Sequence, residues 1–211
     1  MRLLLTLALI TFVCFKGNAQ TKAVTESGEE VILYDDQSWA YVDKEPAEAK
    51  EIPLNEAVFT VPESGSFQIK SSKVNAGIFL NPKIWSFKKA VNNEDAEFEF
   101  QLKGEDLYGI WISEEISIPV ETLGIIAIDN ARAAAKNLKV LNKEYRMVNG
   151  RKVLHIEMSG LVQGIDLSYY GYYYSDESGS SQILTYTSGQ LVEKYKPVME
   201  DFLNGFSEKK E

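Results

Sequence analysis

Residues Arg146 to Ser188 read RMVNGRKVLHIEMSGLVQGIDLSYYGYYYSDESGSSQILTYTS. Asn149-Gly150 is the strongest short hairpin signal in the chain, because both residues tolerate the positive φ that a type I′ turn requires. Tyr145 to Val148 precede it and Val153 to Met158 follow. In the second run Leu154, Ile156 and Met158 fall on one face, and Val153, His155 and Glu157 on the other. Gly160 and Gly164 bracket the next predicted turn. Beyond it Ile165, Leu167, Tyr169, Gly171 and Tyr173 share one face, while Asp166, Ser168, Tyr170, Tyr172 and Tyr174 share the other. Asp176 to Ser181 holds turn residues only. Gln182 to Thr187, rich in Ile, Thr and Tyr, closes a four-stranded antiparallel meander.

Upstream, Phe67-Gln68-Ile69 and Ala76 to Leu80 read as strands, and Asn81-Pro82 breaks the second. Ile84 to Phe87 is short and aromatic. Glu97 to Lys103 alternates, with Phe98, Phe100 and Leu102 inward and Glu97, Glu99 and Gln101 outward. Gly104-Glu105-Asp106 turns it into Leu107 to Ser113, its hairpin partner. Pro119 opens a helix, where its missing N–H costs nothing, and Glu121 suits the first turn. Leu123, Ile126, Ala127, Asn130, Ala131 and Ala134 recur at helical spacing, and the small residues predict close approach to the sheet. Gly189 to Phe206 is a second helix; Pro197 either starts or kinks it, and Gly205 stops it. These elements predict an α+β fold: a central antiparallel sheet of about six strands with helices packed on it, preceded by a small β-hairpin.

The chain begins with Arg2, an apolar run from Leu3 to Phe15, and small residues at Gly17-Asn18-Ala19. That pattern predicts a signal peptide over residues 1–19, with a mature start at Gln20. Cys14 follows Thr-Phe-Val where a lipoprotein signal would carry a small residue, so acylation there is a minor alternative. Cleavage removes the only Cys, so disulfides play no part. It also removes Arg2 and Lys16, taking the net charge from −9 to −11. Such acidity argues against nucleic acid and anionic membrane surfaces as partners. The remaining chain divides into a hairpin segment (20–43), an acidic linker with Pro46 and Pro53 (44–57), a main domain (58–207) and a charged tail (208–211). In the first segment Val31 to Tyr34 and Ser38 to Tyr41 are strands joined at Asp35-Asp36-Gln37. This stretch resembles segments near the start of exported Gram-negative proteins, with Gln37 where Gly is usual. The location expected is the periplasm or the medium. A lone hairpin is marginal in water, so Trp39 needs the main domain, a third strand from Lys22 to Thr25, or a partner to pack on.

The order over Val58 to Ser207 is strands, hairpin, helix, meander and C-terminal helix. With Asn81-Pro82-x-x-Trp85, the helix from Pro119 and Leu203-Asn204-Gly205-Phe206, it resembles the PsbP-like fold. The photosystem oxygen-evolving subunit, a yeast nuclear-import factor that binds Ran, and many small exported bacterial proteins share this fold. The resemblance implies an α/β/α sandwich and a binding or assembly role in place of catalysis. Fold alone does not fix function, and no family site residue transfers to this chain.

The chemistry available is sparse. The mature chain has no Cys, no G-x-S-x-G elbow and one histidine, His155, so nucleophilic catalysis has no support. No cofactor is implied, and one His without Cys excludes ordinary structural zinc. Asp176-Glu177-Ser178-Gly179 lacks the spaced acids of a calcium loop. Glu97 and Glu99 would sit about 7 Å apart by strand rise, within reach of glycosidase geometry, although alternating acids on a solvated strand are commoner. Tyr170, Tyr172 and Tyr174 form a same-face ladder, either a recognition surface or the covered face of a central strand. The function expected is a non-catalytic exported module that binds an envelope protein or cell-wall component through Tyr170, Tyr172, Tyr174 or Trp39. A carrier of a small apolar ligand between sheet and helix comes second, and a hydrolase using Glu97/Glu99 third.

Overall fold

The computed structural model describes residues 21–25, 30–33, 39–41, 51–91, 96–135 and 137–210. The proposed leader with Cys14, the Asp35-Asp36-Gln37 turn and the acidic run 42–50 lie outside the described residues. The chain divides into two compact units, Met1–Glu51 and Ile52–Glu211. The first holds β1 (Thr21–Val24), β2 (Glu30–Leu33) and β3 (Trp39–Tyr41), antiparallel in the order β1-β2-β3. The hairpin thus has its third strand: Lys22 of β1 lies opposite Ile32.

The second unit runs β4 (Leu54–Phe59), β5 (Phe67–Lys70), β6 (Gly77–Leu80), β7 (Trp85–Lys89), β8 (Ala96–Leu102), β9 (Leu107–Glu114), α1 (Val120–Ala134), β10 (Lys139–Val148), β11 (Arg151–Val162), β12 (Ile165–Asp176), β13 (Gly179–Ser188), α2 (Val192–Asn204) and β14 (Phe206–Ser207). Its main sheet has eight strands, two more than expected, in the order β4-β10-β11-β12-β13-β9-β8-β7. A small second sheet is ordered β14-β6-β5. The main sheet is also mixed, because β4 runs parallel to β10. Leu54 to Ala57, expected in the linker, belong to this strand. As an edge strand it has one neighbour and little burial, so it carries no alternating apolar pattern.

The meander forms as its turns dictate. Asn149 and Gly150 have φ of 50° and 81°, and Gln163 and Gly164 have φ of 50° and 86°, the two consecutive positive values of a type I′ turn. Gly160, expected at that second turn, lies inside β11 opposite Leu167.

Both faces of β12 are covered. Tyr170 and Tyr172 join Trp85, Phe98, Trp111 and Phe202 in one core under α2. Tyr173 joins Leu123, Leu154 and Ile156 in a second core under α1. Fully burying one such side chain contributes about 1.5–3 kcal/mol, so these clusters fix the layering. α1 packs on β11 and β12; α2 packs on β12, β13 and β6. Helix α2 runs through Pro197, which forgoes one backbone bond in its first turns.

The two short stretches that carry the fold resemblance have physical causes. The Asn81 carbonyl accepts hydrogen bonds from the backbone N–H groups of Ile84 (3.2 Å) and Trp85 (3.0 Å). This turn drives Trp85 into the core, 4.7 Å from the Phe202 ring centroid. At the other end, Asn149 Nδ2 donates to the carbonyls of Asn204 (2.8 Å) and Phe206 (2.7 Å). The Phe79 N–H donates to the Gly205 carbonyl at 2.8 Å. A Cβ on Gly205 would stand 1.9 Å from the Phe79 carbonyl oxygen. Gly205→Ala must therefore push backbone apart, and overpacking of this kind costs about 1–3 kcal/mol or more. The expected result is a lower urea midpoint at unchanged m-value; an unchanged midpoint would refute the tight crossing.

Candidate functional site

Tyr170, Tyr172 and Tyr174 do not form an open ladder. Tyr170 and Tyr172 are buried beneath α2, and half-buried Tyr174 packs against Phe206 at 5.3 Å between centroids. Their hydroxyls find internal partners: Tyr172 donates to Asn204 Oδ1 at 2.7 Å and Tyr174 to Asp176 Oδ2 at 3.2 Å. Burial pushes the Tyr170 and Tyr172 hydroxyls up to about 12. The cause is topological: β12 lies mid-sheet, so each of its faces meets a covering layer. Trp39, in the first unit, is 54% exposed and meets Tyr41 edge-to-face at 5.2 Å.

A second group of ionisable residues gathers around His155, one that sequence spacing did not reveal. His155 has no exposed surface; Nδ1 lies 3.1 Å from the Gly171 carbonyl and Nε2 3.1 Å from Glu157 Oε1. Next to it Arg146 Nε donates to Glu144 Oε1 at 2.6 Å, and Asn55 Nδ2 donates to the same oxygen at 3.1 Å. The hydrogen bond from His155 holds the Glu157 carboxyl below the usual glutamate range, against the opposing effect of burial. At Glu144 burial is the largest influence and pushes upward, but the Arg146 and Asn55 bonds together outweigh it. The group is closed off rather than concave, and none of the four cavities described below is lined by it.

Glu97 and Glu99 are not a pair. The ladder between β8 and β9 shifts register between Ala96 and Phe98, a bulge at Glu97. The extra residue turns Glu97 away from the Glu99 face. Glu97 is buried and accepts hydrogen bonds from Ser71 Oγ (2.6 Å), Ser72 N (2.6 Å) and Ser72 Oγ (2.8 Å). Glu99 instead meets Lys88 at 2.9 Å across the β7–β8 ladder.

The surface feature that stands out is the half of the main sheet beside and partly beneath α1. From Leu107 to Ser113 in β9 and from Ser181 to Ser188 in β13 every second residue is buried, and the residues between are half-buried. Those intervening residues are Tyr108, Ile110, Ile112, Gln182, Leu184 and Tyr186. A solvated sheet face normally carries polar residues. Tyr169, Tyr186 and Tyr108 form a ladder across three strands, with centroids 5.8 Å and 5.6 Å apart. Burial, then the nearby Glu99 and Tyr108, raises the Tyr186 hydroxyl above its ordinary value. Two hollows lie here. One of about 490 Å³ is lined by Lys88, Glu99, Gln101, Tyr108, Ile110 and Tyr186, among others. One of about 540 Å³ lies between α1 and the sheet, reaching from Ile118, Ile126 and Ala131 to Met158, Tyr173 and Leu184. The helical stripe Ile126-Asn130-Ala131-Ala134 lines this second hollow. The other two cavities are a hollow of about 50 Å³ beside Trp85 and Phe202 and one of about 430 Å³ among Lys70, Lys73, Lys209 and Lys210. No helix among the described residues is long and apolar enough to cross a membrane.

No protein-family model matches the sequence, and none of the curated proteins does. Solved structures do. The cyanobacterial PsbP protein CyanoP from Synechocystis sp. PCC 6803 superposes with a TM-score of 0.51 at 14% identity, over 68% of this chain and 92% of that one. A protein of unknown function, PA94 from Pseudomonas aeruginosa, gives 0.45 at 8% identity over 69% and 98%. LpqN, involved in cell envelope biogenesis of Mycobacterium tuberculosis, gives 0.43 at 9% identity over 67% and 88%. At these identities the likeness concerns the fold, and the chain has the PsbP-like fold.

The bulged glutamate supplies a stability test. Burial is the largest influence on Glu97 and pushes its carboxyl up, but the bonds from Ser71 and Ser72 together hold it below the ordinary 4.5. A depressed carboxyl stabilises the fold fully above the unfolded pKa and loses that contribution as pH falls through the folded one. Glu97→Gln should cost about 1–3 kcal/mol at pH 7 and flatten the fall in stability below pH 4.5. Denaturation curves at pH 7 and pH 3.5 for both proteins check it; parallel pH profiles would refute it.

Proposed function

We propose that this protein is a non-catalytic binding module of the bacterial cell envelope, and that its binding surface is the half of the main sheet beside α1. The observation that carries this reading is the run of half-buried Ile, Leu and Tyr residues on β9 and β13. A contiguous, partly exposed apolar surface of this kind favours an interaction site. The expected leader would deliver the chain to the envelope, where a protein or cell-wall component is the partner. The expected absence of a nucleophile, and the burial of His155 and Glu97, favour contact over chemistry.

The test is association with detergent-solubilised envelope fractions by the wild-type chain and by Ile110→Asp. The Ile110 side chain is half-buried and lines the hollow beside Tyr108 and Tyr186, so the variant should keep its circular dichroism spectrum and lose association at least about tenfold. Equal association by both would remove this face as the binding surface.

A second reading, a carrier of a small apolar ligand held between sheet and helix, is favoured by the 540 Å³ hollow beneath α1. Its size falls in the usual range for small-molecule sites, about 300–1,000 Å³.

A further inference from the structure

We propose that the hollow bordered by Lys70, Lys73, Lys209 and Lys210 binds a small phosphate-bearing anion with at least two negative charges. This hollow shares no lining residue with the two hollows of the sheet face, and the proposal goes beyond the binding surface assigned there.

The first observation is charge. The chain holds 31 acidic and 22 basic residues, yet four lysines line this hollow of about 430 Å³ and no acid does. All four are exposed. Among the described residues, none of their ammonium groups ends on a carboxylate. Lys209 Nζ donates to the Ser71 carbonyl at 3.0 Å, and Lys210 Nζ sits 4.8 Å over the Phe79 ring. Lys70 and Lys73 have no ion pair among the described residues. Two acids adjoin the hollow through its lining residues, and both are engaged. Glu208 Oε1 accepts from Asn75 Nδ2 at 2.8 Å and lies 3.9 Å from the Arg151 guanidinium. Glu97 is held by Ser71 and Ser72. Charges farther than about 8 Å are largely screened at physiological ionic strength, so a ligand here meets the lysines rather than the negative charge of the whole chain.

The second observation is that both walls are fixed before any ligand arrives. On one wall Ser71 Oγ accepts the backbone N–H groups of Lys73 (3.0 Å) and Val74 (3.1 Å), while donating to Glu97. On the other, Gln68 clamps the end of the chain. Its Nε2 donates to the Glu208 carbonyl at 2.6 Å, and its Oε1 accepts the Lys210 N–H at 3.0 Å. A Cβ on Gly77 would stand 2.5 Å from Gln68 Nε2, so the clamp depends on a residue without a side chain. Lysines from two distant parts of the chain are thereby held around one space, where they repel one another until an anion enters.

The chemistry of the lysines selects the anion. An ammonium acts as a point charge and suits a phosphate, whereas carboxylates are matched best by the fork of arginine, and no arginine lines the hollow. The volume lies in the small-molecule range of about 300–1,000 Å³. It admits a phosphate or diphosphate group and not the surface of a folded partner.

Calorimetric titration of the full chain with sodium pyrophosphate and sodium acetate tests the proposal. Pyrophosphate should saturate one site, weaken as salt rises, and bind at least about tenfold more tightly than acetate. Lys73→Gln/Lys209→Gln should lose pyrophosphate at least about tenfold. Lys89→Gln/Lys139→Gln, which removes the same charge from exposed positions elsewhere, should bind as the wild type does. Ile110→Asp should also bind pyrophosphate normally, which separates this site from the sheet face. Flotation with phosphatidylcholine vesicles, with and without phosphatidic acid, identifies the source of the phosphate. Capture by the phosphatidic acid vesicles that Lys73→Gln/Lys209→Gln abolishes assigns it to a lipid headgroup; pyrophosphate binding without capture assigns it to a soluble molecule. No saturable pyrophosphate binding would overturn the proposal, even if vesicles were captured, and so would equal loss in the two double variants or acetate binding as tight as pyrophosphate.

Discussion

Eight strands spaced about 4.8 Å apart make a sheet roughly 34 Å wide, whereas a helix with its side chains is about 10–12 Å across. One helix therefore covers two or three strands, and this mismatch governs the molecule. On one face α2 is joined by the small sheet β14-β6-β5, and together they bury Trp85, Phe98, Trp111 and Ile183. On the other face α1 lies over β11 and β12. The strands beyond it keep their apolar residues but have less cover. The same two strands, β9 and β13, thus show full burial on one side and half burial on the other.

The edge strand β4 presents the opposite problem, since it has too few apolar residues to hold itself in place. Polar contacts do so instead. Asn55 reaches the Glu144 carboxylate, the Arg146 guanidinium sits 4.7 Å over the Phe59 ring, and the Val61 N–H donates to Asn149 Oδ1 at 2.8 Å. The buried Glu144-Arg146 pair consequently ties an added parallel strand to an otherwise antiparallel sheet. Desolvating such a pair offsets much of its attraction, so its structural value lies in the geometry it imposes more than in net stability. His155 and Glu157 continue the same polar line toward α2, where Tyr172 hands over to Asn204. This accounts for the ionisable residues around His155 without a substrate.

The parts of the fold that sequence revealed are those encoded locally. The meander follows from alternation and from turn residues at Asn149-Gly150, and α1 follows from Pro119 and the spacing of Leu123, Ala127 and Ala131. What sequence concealed was decided at long range. Strand β4 is mostly exposed, so neither its pairing nor its parallel direction leaves a periodic trace. The segment from Glu97 to Lys103 reads as one uninterrupted alternation, yet a bulge redirects Glu97 onto Ser71 and Ser72. That bulge separates the two glutamates that spacing alone brings together.

The tyrosines show most directly why a binding surface on a sheet is hard to read from one segment. Tyr170, Tyr172 and Tyr174 are neighbours along a strand, so whatever covers that strand tends to cover all of them, and α2 with Phe206 does so. A platform that presents several rings side by side is built across strands, from positions that pair directly in the ladder. Tyr169 pairs with Tyr186, and Tyr186 pairs with Tyr108. These three residues come from three separate segments, and each looks like an ordinary strand tyrosine in its own context. Only the strand order β12-β13-β9 and the limited reach of α1 bring them into one partly exposed row. A partner that uses this row must run perpendicular to the strands, meeting the rings of Tyr169, Tyr186 and Tyr108 in turn. Ile110 lies beside that row, and Ile112 and Leu184 line the hollow under α1.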